Sequence, residues 1–398
     1  MFAVGIDVSK GKSTIAIIKD GEILEKPFCI NHDLKGFEKL LKKLEGIDKK
    51  EIKFVMEATG VYHLPLLVKL LDLDFWVTVE NAYLLKKYFD VYLRKVKTDK
   101  QDSIKIAKYC YSKWHELKKY SLQDSTYQDL LFLSRQYDQI MSLKVKAKVQ
   151  FKNLLDVIFP GFSNCFYEDN NQFLFMLDVF QKFYHPSLIM KYSENEFISK
   201  LEILNKKRGL RTVARIASEL HSLAKNTISA RPANESTQLI AFTCVENLRR
   251  LEKATNDILT QMDKIATTLP EFEVVSSMSG VGKKIRSRLI AEIGDINKFS
   301  SANSLIAYAG IDTPPYESGG FHATERHITK RGNKHLRKCG FEIMKSLKTI
   351  KPSQDSSVYD FMIKKESEGK ALKSCKIAAL NKFLRIYYAR VKAVYLKT

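Results

Sequence analysis

Asp7, Glu57, Asp99 and Asp102 are four carboxylates in a chain of 398 residues whose formal net charge is +21. Asp7 interrupts the apolar run VGIDVS, where a carboxylate is expensive unless a cation or a donor accompanies it. Glu57 closes the apolar run IKFVME, just before Thr59–Gly60. Asp99 and Asp102 lie three residues apart in KVKTDKQDS, a spacing that puts both on one helix face, able to share one divalent ion or bridge two. The same pair also suits a helix start, where carboxylates satisfy exposed amides. Four acids converging from two strands and one helix would hold two divalent ions about 4 Å apart, steadying the attacking and leaving oxygens of a phosphodiester. Oxygen ligands that keep several waters point to Mg²⁺.

The surrounding pattern supplies elements able to bring these acids together. AVGIDVS, STIAIIK and EILEKPFCI read as three strands within residues 2–29, with turn signals at Lys10–Gly11 and Asp20–Gly21. An amphipathic helix follows at about 34–45, then the strand IKFVMEA, a helix at about 62–72 and the strand DFWVTVE. A meander followed by alternating helices and strands indicates an α/β domain with a mixed sheet. If the strands of Asp7 and Glu57 are neighbours, the two acids meet near one end, and the helix bearing Asp99 and Asp102 can pack across them. Lys97 and Lys100 beside that pair would receive the same phosphate backbone through the metal.

A second candidate lies far along the chain, in YESGGFHATERHITKRGNKHLR. Ser318 precedes two glycines, a pattern that makes a turn. A serine hydroxyl can also attack phosphorus when a base or a metal activates it. Arg326, His327, Lys330, Arg331 and Arg337 follow closely, and such side chains hold a scissile phosphate and offset developing charge. No Ser-His-Asp arrangement is legible. Upstream, SMSGVGKKIRSRLIAEIG has a Gly-x-Gly turn opening a helix, and FSSANSLIAYAGI opens a second behind a Ser300 or Ser301 cap. This resembles a helix-hairpin-helix, whose turn amides take a phosphate with Lys283, Lys284 and Arg286 adding charge. A plain structural turn has the same signature.

Between these regions, Leu130, Leu133, Tyr137, Ile140, Lys144, Ala147, Phe151, Leu154 and Ile158 step by three and four, broken only by Lys144. Ala241, Cys244, Leu248, Leu251, Thr255, Ile258, Met262 and Ile265 repeat the pattern. Two such helices pair antiparallel within one chain or join chains as a coiled coil. The segment between them, about 162–232, is aromatic-rich, lysine-rich and expected to be helical, with no chemistry assigned. The expected domains are an α/β domain at 1–118, coiled-coil helices at 119–270 carrying that insertion, and a mainly α-helical C-terminal domain at 271–398.

Composition narrows the class of partner. Sixty-six Lys and Arg against 45 acids, spread along the chain, favour nucleic acid over an acidic protein or a membrane surface. No uncharged apolar run reaches the length of a membrane span, and MFAVGIDVSK reads as a strand and not a signal peptide. Six cysteines without CxxC pairing read as buried thiols in a reducing cytosol.

GIDVSK, VMEATGVYH and KTDKQD, together with the Ser-Gly step at Ser318 and the Lys330-Arg331-Gly332-Asn333 segment, resemble the signatures of DEDD transposases, the bacterial insertion-sequence family numbered one hundred and ten. The resemblance covers both ends of the chain. It implies a RuvC-like ribonuclease H fold for the first domain, with Asp7, Glu57, Asp99 and Asp102 as the metal-binding acids and Ser318 as a nucleophile that forms a phosphoserine link to a DNA end. Many relatives have Ser where this chain has Thr329, which leaves Ser318 as the better assignment. The resemblance further implies two Mg²⁺ ions, target and donor DNA, a structured noncoding guide RNA encoded by the element, a homodimer or tetramer, and a cytoplasmic, nucleoid-associated bacterial enzyme. A guide RNA would delegate sequence choice to base pairing and leave the protein to hold backbones. The insertion at about 162–232 is not explained by the family. A hydrolytic RuvC-like nuclease on branched DNA would use the four acids without a nucleophilic serine, a DNA invertase of the same family would keep both, and a non-enzymatic scaffold would need neither.

Overall fold

The computed structural model describes residues 1–58, 62–80, 82–89, 98–120, 125–166, 170–204, 210–314, 317–318, 321–322 and 327–396. The chain divides into two compact units, Met1–Leu122 and Gln123–Thr398.

The first unit begins with the hairpin of β1 (Phe2–Ser9) and β2 (Lys12–Lys19), closed at Gly11, whose φ of 76° suits a residue without a Cβ. Asp20 and Gly21 then turn the chain at positive φ into β3 (Glu22–Ile23). The third expected strand is split in two, because β4 (Phe28–Asn31) starts only after Pro27, which has no N–H to continue a ladder. α1 (Leu34–Lys43) follows, capped by Asp33, whose Oδ1 accepts from the Gly36 N–H at 2.7 Å. Then come β5 (Ile52–Glu57), α2 (Leu64–Asp72), β6 (Trp76–Glu80), α3 (Ala82–Phe89) and α4 (Asp99–Ser112). The sheet order is β3-β2-β1-β5-β6, with β4 also pairing β2. β1 is antiparallel to β2 and parallel to β5, and β5 is parallel to β6, so the sheet is mixed as its alternation of elements leads one to expect.

The period of two along β1 separates its faces. Phe2, Val4, Ile6 and Val8 join a core with Phe37, Leu40, Leu66 and Leu70 of α1 and α2. Ala3 lies in the opposite core with Ile106, Ala107 and Cys110 of α4.

The second unit opens with α5 (Ser125–Ile158). The inserted segment forms α6 (Asn170–Lys182), α7 (Pro186–Ile189), α8 (Glu194–Leu204) and α9 (Leu210–Asn226), and the chain returns along α10 (Glu235–Ala266). Tyr127 and Leu130 at the start of α5 share a core with Met262 and Ala266 at the end of α10. Phe151 and Leu155 share another with Ala241 and Val245. The two long helices therefore pair antiparallel within the chain. The insertion fills the second of these cores, where Phe162, Phe166, Phe180, Phe183 and Phe197 meet mostly edge to face. Regions expected as a helical middle and a C-terminal domain share this one unit, and one of its cores joins the ends of α5 and α10 to the C-terminal helices.

The break in the apolar pattern at Lys144 has a partner. Its Nζ lies 2.5 Å from Glu252 Oε2 on α10, and both side chains are buried. Removing one member leaves an unpaired buried charge, so Lys144→Met is expected to cost about 3–5 kcal/mol in chemical denaturation. Lys144→Met with Glu252→Leu is expected within about 1 kcal/mol of wild type, or above it. Equal losses in single and double variants would show that the pair does not couple.

The rest of the unit is α11 (Phe272–Ser277), α12 (Arg286–Ile293), α13 (Ala302–Ala309), the short hairpin of β7 (Glu317–Ser318) and β8 (Phe321–His322), then α14 (Lys334–Ile350), α15 (Ser357–Ser367) and α16 (Leu372–Tyr395). α13 starts with a capping box between Ser301 and Ser304, and α16 buries Phe383, Leu384 and Tyr387 in the centre of this core. Among the described residues no helix is long and apolar enough to cross a membrane.

Candidate active site

In the first unit the acids are placed by three local features. Ile6 of β1 pairs with Met56 of β5 in parallel register. The next residues, Asp7 and Glu57, therefore stand at one level on adjacent strands, at their C-terminal ends, where open α/β sheets hold their ligands. Gly5 lies two residues before Asp7, on the same face of β1, and a Cβ there would run into the backbone of Ser103 and Ala107. That close approach seats α4 across the strand. The first turn of α4, with Asp99 and Asp102, extends from this contact, and Thr98 starts it by accepting from the Gln101 N–H through Oγ1 at 3.3 Å.

Gly5→Ala is expected to destabilise the first unit by about 2–4 kcal/mol, because the added methyl meets backbone that cannot swing aside. A melting curve unchanged from wild type would show that α4 does not depend on this contact.

Electrostatics reflect the same convergence. The Asp7 carboxyl is pushed up from 3.8 to about 6, first by burial and then by the negative charges of Asp99, Asp102 and Glu57. Asp102 has one cation close by, Lys105 Nζ at 3.0 Å from its Oδ1. Among the described residues no three His, Cys, Asp or Glu side chains are drawn close enough to form a ligand set for a metal ion. The acids are thus within electrostatic reach of one another without being closed around a point. Like charge gathered at the edge of a sheet fits a divalent cation in kind, and Asp102 would have to exchange Lys105 for it.

A fifth acid belongs to this edge. Glu57 pairs in register with Glu80, the last residue of β6. Asp7, Glu57 and Glu80 thus stand on three adjacent parallel strands. The strand DFWVTVE carries the same signal as IKFVME, an apolar run closed by an acid, and Glu80 was readable by the rule that selected Glu57. Lys100 is exposed in the first turn of α4, whereas Lys97 and the Thr59–Gly60 turn lie outside the described residues.

In the second unit, Ser318 lies in β7, its backbone paired with Phe321 of β8. Arg326 lies outside the described residues. Lys283 and Lys284 are exposed in the segment between the Gly280 turn and α12, and Lys330 and Arg331 are exposed ahead of α14. Three other basic or polar candidates have internal partners. Arg286 binds Asp263 through Nε at 3.2 Å and a terminal nitrogen at 2.7 Å and lies over the Phe272 ring. Asn333 caps α14 through Oδ1 and donates to Glu292 Oε2 at 2.9 Å. Arg337 donates to the carbonyls of Ala309 and Gly332, both at 2.9 Å. Arg286 ties α12 to α10, and Asn333 and Arg337 tie the start of α14 to α12 and α13, so these side chains position the basic segment through bonds inside the protein.

Two sequence families match this chain. Residues 4–160 match the transposase family of DEDD type named for IS110, and residues 272–359 match the transposase family of IS116, IS110 and IS902. Between them they span more than half of the chain, including Asp7, Glu57, Glu80, Asp99, Asp102 and Ser318. The chain belongs to the IS110 transposase family. This transposase is 21% identical over 369 residues to an uncharacterized protein of insertion element IS116 from Streptomyces clavuligerus, covering 92% of this chain and 88% of that relative. It is 20% identical to an uncharacterized protein of insertion element IS110 from Streptomyces coelicolor, over 77% of this chain and 73% of the relative. A pilin gene-inverting protein from Moraxella bovis is 29% identical over 145 residues, 34% of this chain and 44% of that protein. The transposase is accordingly a DNA recombining enzyme.

Proposed function

We propose that this transposase cuts and rejoins DNA through a phosphoserine link at Ser318, with Asp7, Glu57, Asp99 and Asp102 holding Mg²⁺ in a RuvC-like domain of ribonuclease H fold. The observation that carries the reading is the placement of Asp7 and Glu57 at one level of adjacent parallel strands, with the first turn of α4 seated against the same strand face at Gly5. Two bound Mg²⁺ ions would supply Lewis acidity at the phosphate. The Ser318 oxygen–phosphorus bond forms as a phosphorus–sugar oxygen bond breaks. One proton leaves the serine and one is taken up by the departing sugar oxygen, so no water is consumed and the linkage is kept for rejoining. Lys283, Lys284, Lys330 and Arg331 neutralise backbone phosphates, a contribution that weakens with salt.

A structured guide RNA that pairs with target and donor DNA fits a net charge of +21 spread along the chain without an evident base-reading helix. A homodimer or tetramer is the working assembly. The similarity to gene-inverting proteins extends the reading to inversion, which uses the same cleavage and joining on differently oriented sites. The test incubates purified protein with Mg²⁺, RNA co-purified from cells carrying the whole element, and labelled DNA spanning the element junction in either orientation. A protein–DNA band that survives denaturing electrophoresis is expected. Cleaved DNA without such a band would overturn the serine link and leave hydrolysis by the acids.

A further inference from the structure

Along α16 and the turn before it, two pairs three residues apart, Lys370 and Lys373, then Lys382 and Arg385, line one wall of a cavity of about 890 Å³. Lys330 lines the same cavity, and Ile311, Ile328, Phe361 and Ile377 give it an apolar floor. None of the described residues that line it is acidic. Asp312, between two lining residues, accepts from Thr329 Oγ1 at 2.6 Å. Lys382 and Arg385 are held in place, the first donating to the Ser357 carbonyl at 2.8 Å and the second to Asn381 Oδ1 at 3.0 Å.

Two further observations link the cavity to the reaction. Thr313 and His327 both line it, and the segment bearing Ser318 is the stretch of chain between them. The backbone of the returning segment is bonded to the outgoing one, Thr329 N–H to the Asp312 carbonyl and Lys330 N–H to the Gly310 carbonyl, both at 3.0 Å. Lys330 itself sits at φ 55°, in the left-handed region that side chains with a Cβ seldom adopt. Glycine or asparagine would meet that turn with less strain.

We infer that this groove holds a nucleic-acid strand by its phosphodiester backbone beside the segment that carries Ser318. The assignment deepens the proposed function and rests on it only for the role of Ser318. Five cations over an apolar floor neutralise successive phosphates while sugar and base edges cover the floor. DNA and RNA share the backbone chemistry, and the strand class is left to the measurement.

The test uses the full chain carrying Ser318→Ala, so that binding is read without cleavage. Fluorescence anisotropy is measured across a salt series with junction duplex DNA, the same sequence as single-stranded DNA, and the same sequence as RNA. Lys370→Gln, Lys373→Gln and Arg385→Gln together are expected to weaken binding at least tenfold on one or more probes. They should also lower the slope of log affinity against log salt by about 2–3. A comparison triple, Lys26→Gln, Lys146→Gln and Lys152→Gln, removes equal charge from exposed positions elsewhere and is expected to lose less. A loss confined to one probe names the strand class, and a loss on all three assigns the shared backbone. A groove triple that loses no more than the comparison triple on every probe overturns the inference. Lys330→Gly is expected to hold or raise the melting temperature while weakening binding, and binding equal to wild type would remove Lys330 from the groove. If the phosphoserine adduct fails to form, this result still stands, and if the groove fails, the adduct result still stands.

Discussion

Replacing Asp7 with asparagine is expected to abolish strand cleavage while making the metal-free protein more stable. The side chain keeps its size and loses only its charge, and that charge is in an unfavourable place. Its carboxyl titrates near 6 because it is half-buried and faces Asp99, Asp102 and Glu57, with Lys105 the cation beside Asp102. A carboxyl raised in the folded state binds a proton more tightly there than in the unfolded chain. Its contribution is therefore absent below pH 3.8, becomes destabilising as pH rises towards 6, and stays so above. At this half-exposed site, with screening allowed for, the cost at pH 7.5 is about 1–2 kcal/mol. Asp7→Asn should recover that amount, a rise of a few degrees in melting temperature, and the gain should fade as the pH is lowered through 6 towards 4. Cleavage should fall at least ~10³-fold, as expected when a charge held for the transition state is removed. Added Mg²⁺ is expected to raise the melting temperature of wild type and to do so far less for Asp7→Asn. A variant that is less stable at pH 7.5, or that cleaves normally, would show that Asp7 serves the fold and not the reaction.

Ser318→Ala is expected to eliminate the covalent adduct and reduce cleavage by at least ~10³-fold, since removing a nucleophile leaves only binding and charge stabilisation. β7 and β8 are two residues each and pair only with one another among the described strands. Loss of one hydroxyl there is accordingly expected to move the melting temperature by less than about 1 °C. Affinity for junction DNA should stay within about twofold. Thr329 follows that hairpin, and its Oγ1 donates to Asp312, so Thr329→Ala should retain the adduct. If Thr329→Ala removes the adduct and Ser318→Ala keeps it, the nucleophile has been misassigned. Cleavage that persists in both without an adduct would assign the reaction to the acids and water.

Much of this molecule was legible in the amino-acid sequence, and the parts that were share one property. β1, β2, β5 and β6 came from local alternation and apolar runs, α4 from the acids Asp99 and Asp102 that suit a helix start, and the two long helices from a repeat of three and four. Each is a pattern carried by residues near one another in the chain. The four acids were visible for a related reason: an acid inside or at the end of an apolar strand is anomalous wherever the strand is placed, and Asp99 and Asp102 share a helix face by their spacing alone. The split of the third strand at Pro27 was a local signal that went unused, as was Glu80.

What the tertiary structure decided involves residues far apart in sequence. That Asp7 and Glu57 stand at one level depends on β1 and β5 pairing in parallel, and that α4 reaches them depends on Gly5 having no side chain. Lys144 read as a flaw in an apolar seam until Glu252, more than a hundred residues away, proved to be its partner. Arg286, Asn333 and Arg337 had the residue types of a phosphate-binding segment, yet their donors are engaged by Asp263, Glu292 and two backbone carbonyls. Lys373, Lys382 and Arg385 are near one another along α16, but only folding brings Lys330 to the same cavity. A side chain's type limits what it can bind, and packing decides which partner reaches it first, because a buried donor or charge left without one costs more free energy than local preference can offset.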